Sequence, residues 1–201
     1  MKELTARQKK TLALKHRIHE EFCKLTKENG DNVTVKDICT AADISVGSFY
    51  NLFESKEAVT SMLYESQDEA LAKLDYPADP DERIMAVLQS VLKISTEKGI
   101  HYLKMAAVYE SKHTPSAFRT SYNEQVFNST TAKVIIGALE DGQRMGRYKL
   151  TEPVWYYSDM LIFMFRSLLL YWQINNGNFD IKPLLKRYTQ TIITSLHVDN
   201  G

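Results

Sequence analysis

Residues that break helices are scarce along this chain, and that scarcity most constrains its fold. Only eight glycines and five prolines occur among 201 residues, whereas folds with many strands and tight turns use them often. Between these breakers, apolar residues recur at intervals of three and four, as they do on one face of a helix. The pattern is clear at Leu14, Ile18, Phe22 and Leu25, and again at Ile181, Leu184, Leu185, Tyr188, Ile192 and Leu196. The sequence therefore predicts an all-α fold of about nine helices.

Capping and turn signals place the helix boundaries. Gly30, in the polar run 29–32, is suited to end the first helix in a left-handed conformation. Thr34 followed by Asp37 forms a capping box for a short second helix, and Ser45 is an N-cap for a third helix from Val46 to about Leu52. Similar signals predict helix starts at Ser55, Pro80, Ile100, Thr114 and Val154 and a turn at 175–178.

Charge is balanced overall but not locally. The chain has 25 basic and 25 acidic residues, so composition alone does not indicate a polyanionic partner. The first helix, however, carries seven basic residues between Arg7 and Lys27 against Glu20 and Glu21. This local excess is a modest indication of nucleic-acid binding.

The chain has the features of a cytoplasmic protein. Its two cysteines, Cys23 and Cys39, provide no disulfide framework, and its polar start has no secretory signal. The segment Val154–Ile174 is apolar, but Asp159 and Arg166 lie within it and would be costly in a bilayer. We therefore expect a buried helix there, and no association with a membrane.

The stretch 34–53 carries the functional signal. Two short helices are joined by a tight turn, and the small residues Ala41 and Ala42 stand where the helices must approach closely. Ser45 caps the third helix at its N-terminus. This arrangement is typical of a helix-turn-helix, in which one helix enters the DNA major groove while the other lies across it.

The continuation Ser48-Phe49-Tyr50-Asn51-Leu52-Phe53-Glu54-Ser55-Lys56-Glu57-Ala58 resembles the end of the TetR family motif. That motif has a hydroxyl residue, an apolar residue and then Tyr-x-x-Phe-x-Ser-Lys-Glu. Chain length, the N-terminal position of the motif and the helical remainder also match. The resemblance implies a three-helix DNA-binding domain over residues 1–54. It also implies a larger helical domain for ligand binding and dimerisation over residues 55–201.

The same resemblance implies DNA contacts at matching positions. Thr, Tyr and Lys side chains donate to phosphate oxygens, Asn can pair with adenine, and Gly allows close approach of the backbone. The predicted DNA-binding residues are Thr34, Lys36, Ser45, Val46, Gly47, Ser48, Tyr50, Asn51 and Lys56.

The chain departs from the family pattern at two positions. Asp43 stands in the turn where the family usually has glycine, and Asp tolerates a left-handed conformation better than most residues. Leu52 stands where the family often has a histidine or an aromatic residue that touches DNA. Leu52 either leaves one contact missing or packs under the third helix.

The resemblance also implies a homodimer, because one helix-turn-helix reads few base pairs and two half-sites lie about 34–36 Å apart. The last two helices are apolar enough to pair across a two-fold axis as a four-helix bundle. Packing within a single chain is the alternative, and both can hold for different faces. The predicted interface residues are Leu161, Leu168, Leu185, Tyr188 and Ile192.

A small-molecule pocket among the middle helices is a further implication. An aromatic and Met-rich lining would suit a flat or flexible apolar ligand, although each residue could equally be ordinary core. Asp159 and Arg166 could orient a polar group of the ligand or pair with each other. The predicted ligand-binding residues are Tyr102, Met105, Tyr109, Phe127, Trp155, Asp159, Phe163 and Arg166.

Catalytic and metal-binding patterns are missing from the sequence. His16 and His19 lie one turn apart, but no third ligand is near them, so we expect surface histidines rather than a metal site. A thiol switch at Cys23 or Cys39 is conceivable, yet small core residues are the default. We expect no cofactor, no metal and no enzymatic activity.

The sequence thus favours a DNA-binding repressor. It would be a homodimer that binds a palindromic operator in double-stranded DNA and leaves it when a small, largely apolar effector binds. Three alternatives remain open. They are a helical interaction module whose motif has decayed, a small-molecule enzyme, and a DNA-binding activator.

Overall fold

The computed structural model describes residues 5–113 and 129–198, and this part of the chain is helical. These two ranges contain nine α-helices: α1 Ala6–Asn29, α2 Val35–Ala41, α3 Val46–Tyr50, α4 Met62–Leu71, α5 Pro80–Glu97, α6 Ile100–His113, α7 Thr130–Arg144, α8 Val154–Ile174 and α9 Lys182–Leu196. Short 3-10 helices lie at Gly30–Asn32 and Glu57–Ser61. The described ranges contain no strand, only an isolated bridge between Tyr148 and His197. The predicted all-α fold is confirmed.

Most predicted boundaries match those of the structure, but the fourth helix begins differently. Ser55 Oγ accepts a hydrogen bond from Ala58 N at 3.1 Å, as an N-cap would. The turn that follows is a 3-10 helix, and α-helical geometry begins only at Met62. Hydroxyls of Thr60 and Ser61 donate to carbonyls three residues earlier, and such local bonds compete with α-helical pairing. The helix predicted from Thr114 falls outside the described residues.

Contacts group the helices into two compact units. The N-terminal unit is the described part of Met1–Ser66 and Ser95–Thr114, and the C-terminal unit is the described part of Gln67–Ile94 and Pro115–Gly201. Helix α6 therefore belongs with the helix-turn-helix by contact. The functional division between residues 54 and 55 stays a prediction.

Aromatic and branched side chains form the core of the N-terminal unit. Phe22 of α1, Ile38 of α2, Phe49 of α3 and Tyr102 of α6 are all fully buried. Each such side chain contributes about 1.5–3 kcal/mol on burial. The unit is thus held together by one side chain from each helix of the predicted DNA-binding domain and one from α6.

His19 lies in this core, so the prediction of a surface histidine is wrong there. Its side chain is 1% exposed, and its Nε2 lies 2.7 Å from the hydroxyl of Tyr102. Helix α6 packs on a second face of α1 that the apolar stripe alone did not reveal. Burial, together with the positive charges of Lys98 and His16, lowers the pKa of His19 to about 3.

The core of the C-terminal unit is built from α5, α7, α8 and α9. Ile84, Ile135, Leu161 and Leu185 contribute one fully buried side chain from each of these helices. None of the helices in the described ranges combines the length and hydropathy that crossing a membrane requires, and this includes α8. The reading of α8 as a helix with a buried face is therefore correct.

Polar contacts join the residues that follow α7 and α9 to the start of α5. Arg147 Nη1 lies 2.6 Å from Asp79 Oδ2, and His197 Nε2 lies 3.0 Å from Asp81 Oδ2. Backbone bonds run alongside, from Lys149 N to Leu196 O and from Val198 N to Arg147 O. These contacts keep the end of α9 against the turn after α7.

The buried His19 predicts a pH dependence of stability. Because its pKa is lower in the folded chain than the ordinary 6.5, its contribution is complete above pH 6.5 and is lost as pH falls towards 3. The expected slope is about 1.4 kcal/mol per pH unit in that window. Urea unfolding of the wild type and of His19→Gln at several pH values measures it.

We expect His19→Gln to be less stable near neutral pH but to lack this slope. His16→Gln, one turn earlier on α1, is the control: it should keep the wild-type slope over a slightly narrower pH range, because the charge of His16 lowers the pKa of His19 less than burial and Lys98 do. Equal pH slopes for the wild type and His19→Gln would show that His19 is not held neutral in the fold.

Candidate nucleic-acid interface

Reciprocal hydrogen bonds fix the start of α2. Thr34 Oγ1 accepts from Asp37 N at 3.2 Å, and Asp37 Oδ2 accepts from Thr34 N at 2.9 Å and from the Thr34 hydroxyl at 2.6 Å. These bonds lower the pKa of Asp37. The capping box is confirmed, and the Thr34 hydroxyl proton is already used within it. Lys36 in the first turn is exposed.

The turn between α2 and α3 has the predicted left-handed residue. Asp43 adopts φ 50, and Ile44 N donates to Cys39 O at 3.0 Å. Ala42 is 1% exposed, so only a small side chain fits where the two helices meet. Aspartate therefore serves here in place of the glycine that the family usually has.

Helix α3 has one buried residue and an exposed outer face. Phe49 is fully buried, whereas Val46 is 46% and Tyr50 55% exposed. Ser45 Oγ accepts from Ser48 N at 3.0 Å and caps the helix. Gly47 and Asn51 are also exposed. The structure thus brings six of the predicted DNA-binding residues, from Ser45 to Asn51, onto or beside one helical turn; five of them are exposed and Ser48 is half-buried.

Gly47 has no internal packing reason to be glycine. A Cβ built there would meet only Ser45 Oγ, at the ordinary contact distance of 3.8 Å, and its φ is not in the left-handed region. A requirement for glycine would therefore come from outside the chain. Close approach of a duplex to the helix backbone is one such requirement.

The ammonium group of Lys56 is hydrogen-bonded within the protein. Its Nζ donates to Asp31 O at 2.9 Å and to Val33 O at 2.8 Å, in the loop before α2. It therefore anchors the loop that sets the start of α2, with one N–H left over. Its phosphate contact stays a prediction. Leu52 is half-buried, in line with packing under α3.

Sequence reasoning missed a link between α6 and the segment after α3. Glu54 Oε1 lies 3.0 Å from His113 Nε2 and accepts a hydrogen bond from the Tyr109 hydroxyl at 3.4 Å. His113 Nδ1 lies 2.9 Å from Tyr109 O. No local pattern could reveal the two pairs with Glu54, because more than fifty residues separate it from Tyr109 and His113. Tyr109, predicted as a ligand residue, connects α6 to the segment after α3, and its ligand contact stays a prediction.

Both cysteines are poor candidates for a thiol switch. Cys23 is 6% and Cys39 4% exposed. Burial raises the pKa of Cys23 to about 11 and also raises that of Cys39, so neither forms the reactive thiolate readily near neutral pH. Their place in the core is the expected default.

The predicted dimer residues differ in their surroundings. Leu161, Leu168 and Leu185 are at most 6% exposed and belong to the core of the C-terminal unit. Tyr188 is 44% exposed and Ile192 is half-buried. The three leucines therefore offer little surface to a second chain, and their place in an interface stays a prediction.

Other apolar residues of α8 are exposed instead. Tyr156, Phe163, Leu170 and Ile174 are 47%, 41%, 49% and 68% exposed. With Met160 and Ser167 they follow alternating steps of four and three residues, which is the heptad spacing of a helix that packs on another at about 20°. This spacing is readable from the sequence and could have identified the stripe.

The predicted ligand residues are distributed over both units. Tyr102 is fully buried and bonded to His19, which gives it a structural role, and Met105 and Tyr109 are half-buried on the same helix. Four others lie along α8. Trp155 is 49% and Phe163 41% exposed, whereas Asp159 and Arg166 are half-buried. Burial raises the pKa of Asp159. Phe127 lies outside the described residues.

A polar pocket occurs elsewhere in the C-terminal unit. It has a volume of about 500 Å³ and is lined by Asp79, Asp81, Glu82, Gly146, Arg147, His197 and Val198. Apart from Val198 and Gly146 these side chains are charged or titratable, and none belongs to the predicted ligand set. The pocket does not suit a largely apolar molecule.

Comparison with known families identifies the helix-turn-helix. Residues 24–61 match the model of the family described as bacterial regulatory proteins, tetR family. The match covers the end of α1, α2, α3 and the 3-10 turn after them. No curated protein sequence matches the chain significantly.

Solved structures share the fold over nearly the whole chain. FadR from Bacillus subtilis, in complex with stearoyl-CoA, is 19% identical with a TM-score of 0.64 over 90% of this chain and 99% of that chain. FadR from Thermus thermophilus, a TetR family transcriptional repressor in complex with lauroyl-CoA, is 20% identical with a TM-score of 0.62 over 93% and 97%. The fatty acid degradation regulator FadR from Bacillus halodurans is 18% identical with a TM-score of 0.61 over 96% and 97%.

The matched segment contains the capping box, the left-handed turn and the exposed helix described above. The fold of the remainder is the one that the FadR structures have. Residues 24–61 thus carry the helix-turn-helix of the tetR family of bacterial regulatory proteins, and the chain as a whole has the fold of these FadR structures.

Proposed function

We propose that this regulator is a cytoplasmic homodimeric repressor. It binds a palindromic operator in double-stranded DNA through α3 and leaves it when a small, largely apolar effector binds. The observation that carries the proposal is the division of α3 between a buried Phe49 and an exposed outer face with Val46 and Tyr50. No catalytic step is assigned to the chain.

Each exposed side chain of this surface has a definite role in the proposal. Asn51 reads a base edge, and Val46 contacts a thymine methyl group. Tyr50 and Lys36 donate to phosphates and set the position of α3 in the groove. Ser45 keeps the first turn of α3 formed through its 3.0 Å bond from Ser48 N.

Substitutions on this surface should separate base reading from phosphate binding. Asn51→Ala should weaken binding to the operator by about 1–3 kcal/mol while leaving affinity for random DNA almost unchanged. Lys36→Ala should weaken both and reduce the salt dependence by about 0.9 per phosphate contact. Fluorescence anisotropy with labelled duplexes over a salt series measures both effects.

Lys133→Ala, which removes an exposed cation from α7, is the control and should bind as the wild type does. A wild-type protein without measurable, salt-dependent affinity for DNA would instead support the interaction module with a decayed motif. An activator would bind like a repressor and differ only in the sign of its effect on transcription.

The apolar stripe of α8 supports dimerisation. Four large apolar side chains, Tyr156, Phe163, Leu170 and Ile174, are more than 40% exposed along one face. Contiguous exposed apolar surface of this kind is typical of interfaces. Helix α9 adds Tyr188, which is 44% exposed. Two copies of these helices would bury the stripe as a four-helix bundle.

Charges in the stripe should therefore dissociate the dimer. Phe163→Glu combined with Leu170→Glu would place two carboxylates in a closed apolar interface, and we expect a monomer in light scattering after gel filtration. Far-UV circular dichroism should stay unchanged, since both side chains are largely exposed in the single chain. Operator affinity should fall because only one half-site is engaged at a time.

Met145→Glu is the matched control, because Met145 is 65% exposed on the turn after α7. It should leave the dimer intact. A wild-type protein that is monomeric at micromolar concentration, or a double variant that remains dimeric, would contradict the proposed interface.

The proposed effector is apolar with a polar group, and acyl-CoA is the first class to test. Two FadR structures with this fold contain stearoyl-CoA and lauroyl-CoA. Within the described residues, Ser158 Oγ on α8 and Thr189 Oγ1 on α9 are buried without a hydrogen-bond partner. An unpaired buried hydroxyl costs about 1–3 kcal/mol, and a bound polar group would remove that cost.

Contacts of α6 support a route from effector to DNA. Glu54, four residues after α3, is bound by His113 and Tyr109 of that helix. An effector that prefers another position of α6 would break these bonds and change the orientation of α3. Its leverage is limited to its difference in affinity between the two arrangements.

Acyl-CoA should release the protein from its operator, whereas free CoA should not. Ser158→Ala should weaken this response several-fold without lowering thermal stability, because it removes an unpaired buried hydroxyl. Ser167→Ala, at an exposed position of the same helix, is the control. Fluorescence anisotropy of labelled operator during titration with stearoyl-CoA, lauroyl-CoA and CoA measures the release. If neither thioester releases the operator, this class of effector is ruled out.

A further inference from the structure

The first half of α1 is strongly basic in a chain without net charge. From Thr5 to His19 the sequence contains no carboxylate, although acidic and basic residues are equally numerous in the whole chain. Five cations lie in this stretch: Arg7, Lys9, Lys10, Lys15 and Arg17. Such segregation produces a local positive potential that the overall composition hides.

The first turns of α1 contribute nothing to the core. Every residue from Ala6 to Thr11 is exposed, and the first buried residue of the helix is Ile18. The capping box of Thr5 and Gln8 keeps this end helical, with Thr5 N donating to Gln8 Oε1 at 2.9 Å and Gln8 N donating to Thr5 Oγ1 at 3.3 Å. The helix is therefore longer than the packing of the unit requires.

The charges of this end oppose the helix dipole. Helix N-termini favour acidic residues because the partial charge there is positive, yet the first turn of α1 has none. Arg7, Lys9 and Lys10 are cations placed at the unfavourable end. Cations at the positive end of a helix lower its stability, and such a local cost is expected where a binding partner offsets it. The partner that offsets an excess of cations is an anion.

Two contacts locate α1 relative to α6 and to the segment after α3. Near its C-terminus, Lys27 lies against Gly99 at the start of α6. Further towards its N-terminus, Lys15 Nζ lies 5.4 Å from the ring centroid of Phe53, just beyond the end of α3. Arg7 is eight residues further on, or about 12 Å at 1.5 Å per residue. The basic turns thus continue along α1 for about 12 Å beyond the point where it contacts the segment after α3.

We infer that the first turns of α1 form a second DNA contact, in which Arg7, Lys9 and Lys10 bind phosphates flanking the half-site read by α3. This inference rests on the proposed DNA-binding function. The contact adds affinity without sequence information, since these side chains reach only the backbone. It also extends the footprint of each protomer outward from the groove that α3 occupies.

The test removes the three charges together. Arg7→Gln/Lys9→Gln/Lys10→Gln should reduce the slope of log affinity against log salt by about 0.9 for each phosphate contact, hence up to about 2.7 per protomer. Affinity for operator and for random DNA should fall by the same factor, at least tenfold at low salt. Thermal stability should not fall, because the cations oppose the helix dipole.

Lys182→Gln/Lys186→Gln/Arg187→Gln on α9 removes the same charge from exposed positions and is the matched control. Hydroxyl-radical footprinting should show flanking protection that the α1 variant loses and the α9 variant keeps.

A wild type that does not bind DNA would overturn the proposed function itself. A wild type that binds, with an unchanged slope for the α1 variant or an equal loss for both variants, would overturn this contact alone. The contact would also be overturned if the first turns of α1 bind anionic phospholipid vesicles while the DNA footprint is the same in the wild type and the α1 variant.

Discussion

The buried ring of Phe49 is the contact on which the DNA-binding surface depends. Helix α3 has only five residues, too few to be stable without tertiary packing. Phe49 is fully buried, lies 5.8 Å from the ring of Phe53 and has Tyr50 edge-on at 5.5 Å. With this one side chain inward, the helix presents Gly47 and Tyr50 outward, and Val46 in its first turn is also exposed. The same anchor therefore gives the helix its stability and its exposed face.

Around this anchor, polar contacts tie the reading helices to their neighbours. Lys56 binds two carbonyls of the loop before α2, and Glu54 joins the segment after α3 to Tyr109 and His113 of α6. These bonds are exposed or half-buried, so each contributes modestly and can be exchanged for water. A rearrangement of α6 can thus be passed to α3 without unfolding the core. Such a balance suits the proposed release from DNA when an effector binds.

The sequence predicted features that depend on neighbouring residues. The Thr34–Asp37 capping box, the Ser45 cap and the left-handed Asp43 all follow from local chemistry, and the ends of α8 follow from Pro153 and the turn after Ile174. The prediction from sequence was wrong where an element far along the chain determines burial, as at His19, which α6 covers. The internal bonds of Lys56 could not be predicted either, because their acceptors lie more than twenty residues earlier, while its phosphate contact stays a prediction. For Leu161 and Leu185, periodicity marks an apolar face but not which apolar surface will cover it.

The most direct test of this account is methylation protection of guanine N7 in an operator bound by the wild-type protein. N7 lies in the major groove, where α3 with its exposed Val46 and Tyr50 is proposed to enter. We predict two protected clusters, separated centre to centre by one helical turn of 10–10.5 base pairs or a multiple of it. A stable complex that leaves every guanine N7 reactive, or that protects only minor-groove positions, would contradict it.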